Sequence, residues 1–173
     1  PDTELNLIVT GAHLIDEFGY TIKYIEEDGF PITKKISVEI CTDDSISISQ
    51  TMGRYFLSFA GVFEKLQLDF LIVVGDRYEL IPFCYCATNA KIPIAHISGG
   101  EVTEGAIDDA VRHCVTKLSY LHFPACETYR RRIIQLGESP DRVFNVGDPG
   151  VENVKTMKMI SEIALRKKLS LDL

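Results

Sequence analysis

The run Phe70-Leu-Ile-Val-Val74, followed at once by Gly75-Asp76-Arg77, constrains this chain more than any other segment. Five consecutive apolar residues rich in β-branching read as a strand buried on both faces, the kind found inside parallel sheets. The same grammar recurs along the chain. Residues 5–10, 34–40, 92–97, 120–123 and 142–146 also read as strands. Between and after them lie helical patterns over 19–27, 45–66, 78–89, 107–118, 127–136 and 151–169. Asp43 or Asp44 is placed to cap the second of these helices, and Pro82 falls near the start of the third, where its missing N–H is tolerated. Strands alternating with helices at this spacing predict an α/β fold, a Rossmann-like doubly wound parallel sheet, with residues 1–173 forming one domain.

Composition narrows the function classes. At 173 residues, 46% hydrophobic and 25% charged, the chain can bury an ordinary core. A formal charge of −7 argues against a nucleic-acid backbone as partner, although a nucleotide needs only local donors. No apolar run approaches the roughly 20 residues of a membrane span, and no basic, apolar-cored leader opens the sequence. A cytoplasmic protein is the expectation. The five cysteines, Cys41, Cys84, Cys86, Cys114 and Cys126, are scattered and lack zinc-ribbon spacing, so they read as small buried thiols.

In open parallel sheets, ligands bind beyond the carboxyl ends of the strands. Polar or glycine-rich sequence follows four strands: Thr10-Gly11-Ala12-His13, Gly75-Asp76-Arg77, His96-Ile97-Ser98-Gly99-Gly100-Glu101 and Gly147-Asp148-Pro149-Gly150. Asp76 and Arg77 together offer a base and an anion clamp, or an ion pair that closes a turn. Gly99 and Gly100 offer bare backbone to a phosphate or sugar, or a plain turn. Asp108 and Asp109 open the next helix, where acids complement the dipole, with Arg112 and His113 one turn on. His122, inside a strand, reads as structural, and Arg130-Arg131-Arg132 as a solvated helix face. Asp76, Glu101 and Asp108 at one edge would crowd carboxylates around a cleft, an arrangement suited to moving protons, including one from carbon.

The segments GDRYE (75–79), IPIAHISGGE (92–101), TEGAIDDAVRHCVTKLSYLHF (103–123), YRRRIIQLGE (129–138) and VFNVGDPGVENV (143–154) resemble the hydrolysing UDP-N-acetylglucosamine 2-epimerases of sialic-acid synthesis. VTGAHLIDEFGYT (9–21) fits the same pattern, so the resemblance covers nearly the whole chain in order. It implies the amino-terminal half of a two-domain GT-B fold, with the site in the cleft between domains. It implies a UDP-sugar substrate, loss of UDP through a 2-acetamidoglucal intermediate, and release of N-acetylmannosamine or a related sugar. It implies no redox cofactor and no metal, and a homo-oligomer in the full-length enzyme. Asp76 matches the catalytic aspartate of the GDR motif, Arg77 its ligand-binding neighbour, Asp108 the aspartate of the I-D-D segment, and His13 a histidine near the sugar. His96, Ser98, Gly99, Gly100, Arg112 and His113 complete the candidate substrate-binding set.

One position departs from the pattern. Several members of that family read HIEGGE, with a catalytic glutamate where this chain has Ser98. Either Glu101 takes the role or another group does, and relatives acting on 2,4-diacetamido-2,4,6-trideoxy sugars widen the choice of substrate. The family's first strand, with its GTRA(D/E)-like nucleotide loop, and its carboxyl-terminal domain have no counterpart in this sequence, so the chain alone is expected to be inactive. A non-hydrolysing UDP-GlcNAc 2-epimerase, a nucleotide-sugar-binding module and a GT-B glycosyltransferase stay open as alternatives. The first is disfavoured because that group tends to show HGDT and HVEAGLR in place of GDRYE and HISGGE.

Overall fold

Alternating strands and helices build parallel sheets, as the pattern predicts. The computed structural model describes residues 3–40 and 44–170. Strands β1 (Leu7–Thr10) and β2 (Ile32–Ile36) pair in parallel, and β3 (Leu71–Val74), β4 (Ile94–Ile97) and β5 (Leu121–Phe123) form a second parallel sheet in that order. The helices are α1 (Ile22–Glu27), α2 (Ser45–Phe59), α3 (Leu80–Asn89), α4 (Asp108–Leu118), α5 (Glu127–Gln135), α6 (Pro149–Thr156) and α7 (Glu162–Leu169). Helix α3 packs against both α2 and α4. Tyr55, Phe59, Cys84, Ala87, Val111 and Val115 from these helices meet Leu71, Val73 and Ile94 in one apolar core.

Several boundaries shift for identifiable reasons. Residues 19–27 are helical only from Ile22, because Gly19 (φ 88°) and Tyr20 (φ 45°) are left-handed and follow two short 3-10 turns. Helix α2 stops at Phe59 instead of residue 66, just ahead of Gly61, and Val62 and Phe63 then turn into the core. Residues 142–146 pair with β5 only locally, through a bridge between His122 and Val143 and a bond from Phe144 N–H to the His122 carbonyl at 2.9 Å. The stretch 151–169 is two helices, interrupted over 157–161. Asp44 is the cap of α2: its Oδ1 accepts from the Ile46 and Ser47 backbone N–H groups, each at 3.0 Å. Asp43 and Cys41 lie outside the described residues.

The run 70–74 corrects the expectation of a strand buried on both faces. Leu71 and Val73 are buried, but Ile72 and Val74 are 63% and 59% exposed. At β4 the contrast is plain, since Ile94, Ala95 and His96 are all buried. Leu71 and Val73 face the core shared with α2 and α3, so Ile72 and Val74, alternating with them, project from the opposite face of the sheet. The cysteines also depart from a uniform reading. Cys84 is buried, and that burial pushes its thiol up to about 12, whereas Cys114 is exposed.

The Asp44 cap lends itself to a direct check. Asp44→Ala removes the acceptor for two of the N–H groups that open α2 and is expected to cost about 1 kcal/mol of unfolding free energy, read by urea denaturation of the 173-residue chain.

Candidate active site at the carboxyl edge of the sheet

The parallel ladder sets the site. Gly75 N–H donates to the Ile97 carbonyl at 3.0 Å, and Ser98 N–H to the Phe123 carbonyl at 3.1 Å, so the polar turns after β3 and β4 leave the sheet side by side. The start of α4 follows the second of these turns in sequence, and Arg112 projects from the second turn of that helix.

Arg112 is the side chain that gathers the edge. It is only 6% exposed, and its Nη2 makes a close ion pair with Asp76 Oδ2 and stands 4.0 Å from Glu101 Oε2. Two of the three expected carboxylates therefore converge, with a guanidinium between them rather than pressed against each other. Its Nε and Nη1 are buried without a partner in the structure. Asp108 lies one helical turn ahead of Arg112, in the first turn of α4 beside Asp109. Asp109 Oδ1 accepts from Thr103 N–H at 3.2 Å, closing the loop before the helix. His113 Nε2 faces Asp109 Oδ2 at 3.6 Å.

Arg77 does not pair with its neighbour Asp76. It turns to Glu79, with Nη2 2.8 Å from Oε1 and Nε 3.2 Å from Oε2, a bidentate arrangement that leaves its side chain 67% exposed. A guanidinium held this way at the open edge can still receive an anion. His13, just after β1, shares a 2.7 Å hydrogen bond between Nδ1 and Thr21 Oγ1.

His96 and the two glycines work inward. His96 is fully buried, and its Nε2 lies 2.8 Å from the Gly75 carbonyl, which can only accept. Nε2 therefore carries the proton, and Nδ1 accepts from Thr116 Oγ1 at 3.2 Å. Burial holds this imidazole down at about 4, against the opposing pull of the Gly75 bond. A Cβ on Gly99 would stand 2.9 Å from His96 Nδ1, and one on Gly100 2.5 Å from the Tyr129 carbonyl oxygen. In this geometry the glycines let β4's turn press against His96 and α5, and His96 braces the turn after β3 from beneath. Ser98 occupies the left-handed region (φ 62°), unusual for a residue with a Cβ.

The arginine run is not a uniform solvated face. Arg130 Nε donates to the Val143 carbonyl at 3.0 Å and Arg132 Nη1 donates to the Gly100 carbonyl, leaving Arg131 exposed. These two bonds were not visible in the sequence, because they depend on α5 lying against the turn after β4 at Gly100 and against the segment beside β5 at Val143. His122 is buried as expected, with Nε2 3.2 Å from Glu138 Oε2. Burial lowers its affinity for a proton in spite of Glu138. Burial alone would raise the Glu138 carboxyl, but hydrogen bonds and charge from Lys117 and His122 outweigh it and bring it below the ordinary value. Among the described residues no group of three His, Cys, Asp or Glu side chains is arranged to hold a metal ion, and no helix is long and apolar enough to cross a membrane.

Comparison with known proteins places this edge in context. Residues 1–171 match the UDP-N-acetylglucosamine 2-epimerase family. The chain belongs to that family. It is 43% identical over 172 residues to the GDP/UDP-N,N'-diacetylbacillosamine 2-epimerase (hydrolyzing) of Campylobacter jejuni, covering 99% of this chain and 44% of the relative. It is 39% identical over 168 residues to the polysialic acid biosynthesis protein P7 of Escherichia coli, covering 97% and 43%. It is 33% identical over 171 residues to the UDP-N,N'-diacetylbacillosamine 2-epimerase (hydrolyzing) of Legionella pneumophila, covering 99% and 45%. The chain thus spans less than half the length of these relatives. Among solved structures, a UDP-N-acetylglucosamine 2-epimerase superposes with a TM-score of 0.76 at 14% identity, over 96% of this chain and 45% of that one. The Neisseria meningitidis enzyme bound to UDP-GlcNAc gives 0.68 at 19% identity, over 95% and 44%. At these identities the structural likeness establishes the fold, a parallel α/β sheet of the GT-B kind.

The buried neutral His96 has a measurable consequence. Its folded value of about 4 lies below the ordinary 6.5, so the unfolded chain takes up the proton first as pH falls. The stabilisation is complete above about pH 6.5 and drains away towards pH 4, by about 3 kcal/mol in all. Chemical denaturation across this range is expected to show that loss, and His96→Gln, which keeps a donor but cannot titrate, is expected to flatten the curve by about that amount.

Proposed function

We propose that this chain is the amino-terminal half of a hydrolysing sugar-nucleotide 2-epimerase acting on a UDP-activated 2-acetamido sugar. The observation that carries this reading is the placement of Asp76 and Glu101 on the two sides of the buried Arg112 guanidinium, at the carboxyl edge of a parallel sheet. Membership of the epimerase family and the hydrolysing reaction named for two of its relatives support it.

The chemistry asks for a base at sugar C2, a pathway for the proton and a means of holding the diphosphate. In the proposed reaction a carboxylate removes the C2 proton while the C1–O bond breaks. The electron pair leaves with UDP and a C1=C2 double bond remains. Water then adds across that bond, hydroxyl at C1 and proton at C2 on the opposite face, giving the inverted free sugar. Asp76 is assigned as the base, because it stands directly at the strand end and is held in one orientation by Arg112. Glu101 is assigned as the second proton-transfer group, since Ser98 has no acid of comparable strength to offer at neutral pH. Asp108, in the first turn of α4, is assigned as a third carboxylate of the site. Arg77 and His13 are assigned to the substrate, Arg77 as a preformed guanidinium for the diphosphate. Ser98, His113 and the Gly99-Gly100 turn line the sugar side, with His96 and Arg112 acting through the groups they hold.

The sugar is assigned to the 2,4-diacetamido class named for the Campylobacter and Legionella relatives, with UDP-N-acetylglucosamine as the competing substrate. The protein is further assigned to the cytoplasm, to nonulosonic-acid synthesis of the sialic-acid type and to a homo-oligomeric assembly. This chain alone is proposed to be inactive, because the carboxyl edge is open to water and Arg77 is largely solvated, which weakens electrostatic stabilisation.

The protein encoded by the whole gene provides the test. Incubated separately with UDP-N,N'-diacetylbacillosamine and UDP-N-acetylglucosamine in deuterated water, it is expected to release free UDP, faster with the first. The free 2-epimeric sugar is expected to carry deuterium at C2. Asp76→Asn is expected to lower kcat by at least about a hundredfold, within the range general-base loss produces. Reversible interconversion of intact sugar nucleotides without free UDP would overturn the hydrolysing assignment, and equal rates for Asp76→Asn and the unaltered protein would overturn the role of Asp76.

A further inference from the structure

Glu101 is held by its backbone more than by its side chain. Its Oε2 stands 4.0 Å from Arg112 Nη2, beyond hydrogen-bond reach, and the side chain is 27% exposed. The direction of this carboxylate therefore depends on the chain to either side. On the carboxyl side, Thr103 N–H is bound to Asp109 Oδ1 at 3.2 Å. On the amino side stands the Gly99-Gly100 pair, with Gly100 in the left-handed region (φ 79°). A glycine turns its peptide with little resistance. The residues that admit His96 and α5 so closely thus leave the peptide between Gly100 and Glu101 with no stiffness of its own.

Arg132 supplies that stiffness. Its Nη1 donates to the Gly100 carbonyl, which belongs to the same peptide as the Glu101 N–H. Arg130 and Arg131 each reach Glu127 Oε1 at 3.4 Å, but Arg132 pairs with no carboxylate among the described residues. Its guanidinium carbon lies 5.7 Å from the centre of the Tyr129 ring instead. An aromatic face steadies the cation without competing for its donors, which stay committed to the carbonyl. Tyr129 also confines Gly100 directly, since a Cβ there would stand 2.5 Å from the Tyr129 carbonyl oxygen. One turn of α5 therefore fixes both the α-carbon and the carbonyl of Gly100.

We propose that Arg132 is a positioning residue for the epimerase reaction, locking the Gly100–Glu101 peptide so that the Glu101 carboxylate meets the sugar in one orientation. The inference rests on the proposed reaction, in which Glu101 is the second proton-transfer group. Asp76 is held separately, by its own ion pair with Arg112. Loss of Arg132 therefore leaves the first proton transfer in place and disturbs the second. The reaction then stalls after UDP has left, and the sugar with its C1=C2 double bond escapes before water adds across it. A residue that only fastened α5 to the sheet would act differently. Its loss would lower the amount of folded protein, or slow both steps alike, and the ratio of unsaturated to hydrated sugar would not move.

The test uses the protein encoded by the whole gene, with whichever of the two UDP-sugars it turns over faster. Free UDP, free 2-epimeric sugar and free unsaturated sugar are followed together by proton NMR. Arg132→Met is expected to lower kcat for the 2-epimer by at least about tenfold, with KM changed by less than about twofold. The share of unsaturated sugar among the products is expected to rise by at least about fivefold. Glu101→Gln is expected to shift the products in the same direction. The double variant is expected to be no slower than Glu101→Gln alone, since Arg132 acts only through that carboxylate. Arg132→Lys keeps the charge but loses the planar fork, so it is expected to fall between Arg132→Met and the unaltered protein. It carries the same comparison should Arg132→Met fail to fold. The proposal is overturned if the product ratio stays unaltered, or if the effects of Arg132→Met and Glu101→Gln add in full. An impaired Glu101→Gln beside an unimpaired Arg132→Met would overturn this inference alone. An unimpaired Glu101→Gln would overturn the assignment of Glu101 itself, and this inference with it.

Discussion

A single buried guanidinium organises the functional edge of this molecule. Arg112 rises from α4 into the space beyond β3 and β4 and meets Asp76 from one strand end and Glu101 from the other. An arginine so enclosed cannot shed its charge, so the cost of removing it from water has to be met by the anions around it. Asp76 supplies most of that compensation. The carboxylate at the strand end is consequently fixed in direction before any ligand arrives, and the proposed role of Asp76 as a base draws on that orientation.

The turns carrying these carboxylates are fixed from below by a neutral network. His96 donates to the Gly75 carbonyl and accepts from Thr116, tying the turn after β3 to β4 and α4. Its neutrality is part of the design: a charged imidazole here would sit without a counter-ion in the same interior that houses Arg112. On the far side, Arg132 reaches from α5 to the Gly100 carbonyl, and Gly100 itself admits the backbone of α5 at a distance that no Cβ would allow. Two layers result, an inner one of His96, Thr116 and the glycines that sets backbone positions, and an outer one in which Asp76 and Glu101 face Arg112.

Much of this was legible in the sequence, and the rest was hidden for definable reasons. The succession of apolar runs predicts strands in parallel, as the structure has them, and the rule that ligands bind at strand carboxyl ends points to four turns, of which those after residues 74 and 97 leave the sheet side by side. Which neighbour each charged residue would choose was not legible. Asp76 and Arg77 are adjacent, yet adjacent residues on a turn point apart, and each found a partner elsewhere: Arg112, 36 positions on, and Glu79. The glycine pair offers bare backbone to a ligand or a plain turn, and the structure uses the missing Cβ atoms for internal contact. The continuous apolar run 70–74 predicts burial on both faces, but such a run cannot tell whether a layer packs on each face of the sheet.

A residue at position 98 sits in the left-handed region, where any side chain beyond glycine carries a strain of about 1 kcal/mol or more. The strain is sustained because Ser98 N–H is bound to the Phe123 carbonyl and the next two residues are wedged against His96 and α5. Backbone held this firmly dictates where a side chain at 98 points, whatever its identity. Exchanging a glutamate for serine at such a position would therefore delete an acid without moving its neighbours, and in the proposed reaction the second proton transfer is left to whichever carboxylate the same backbone already presents. Glu101, three residues on and facing the same guanidinium, is the carboxylate in that position.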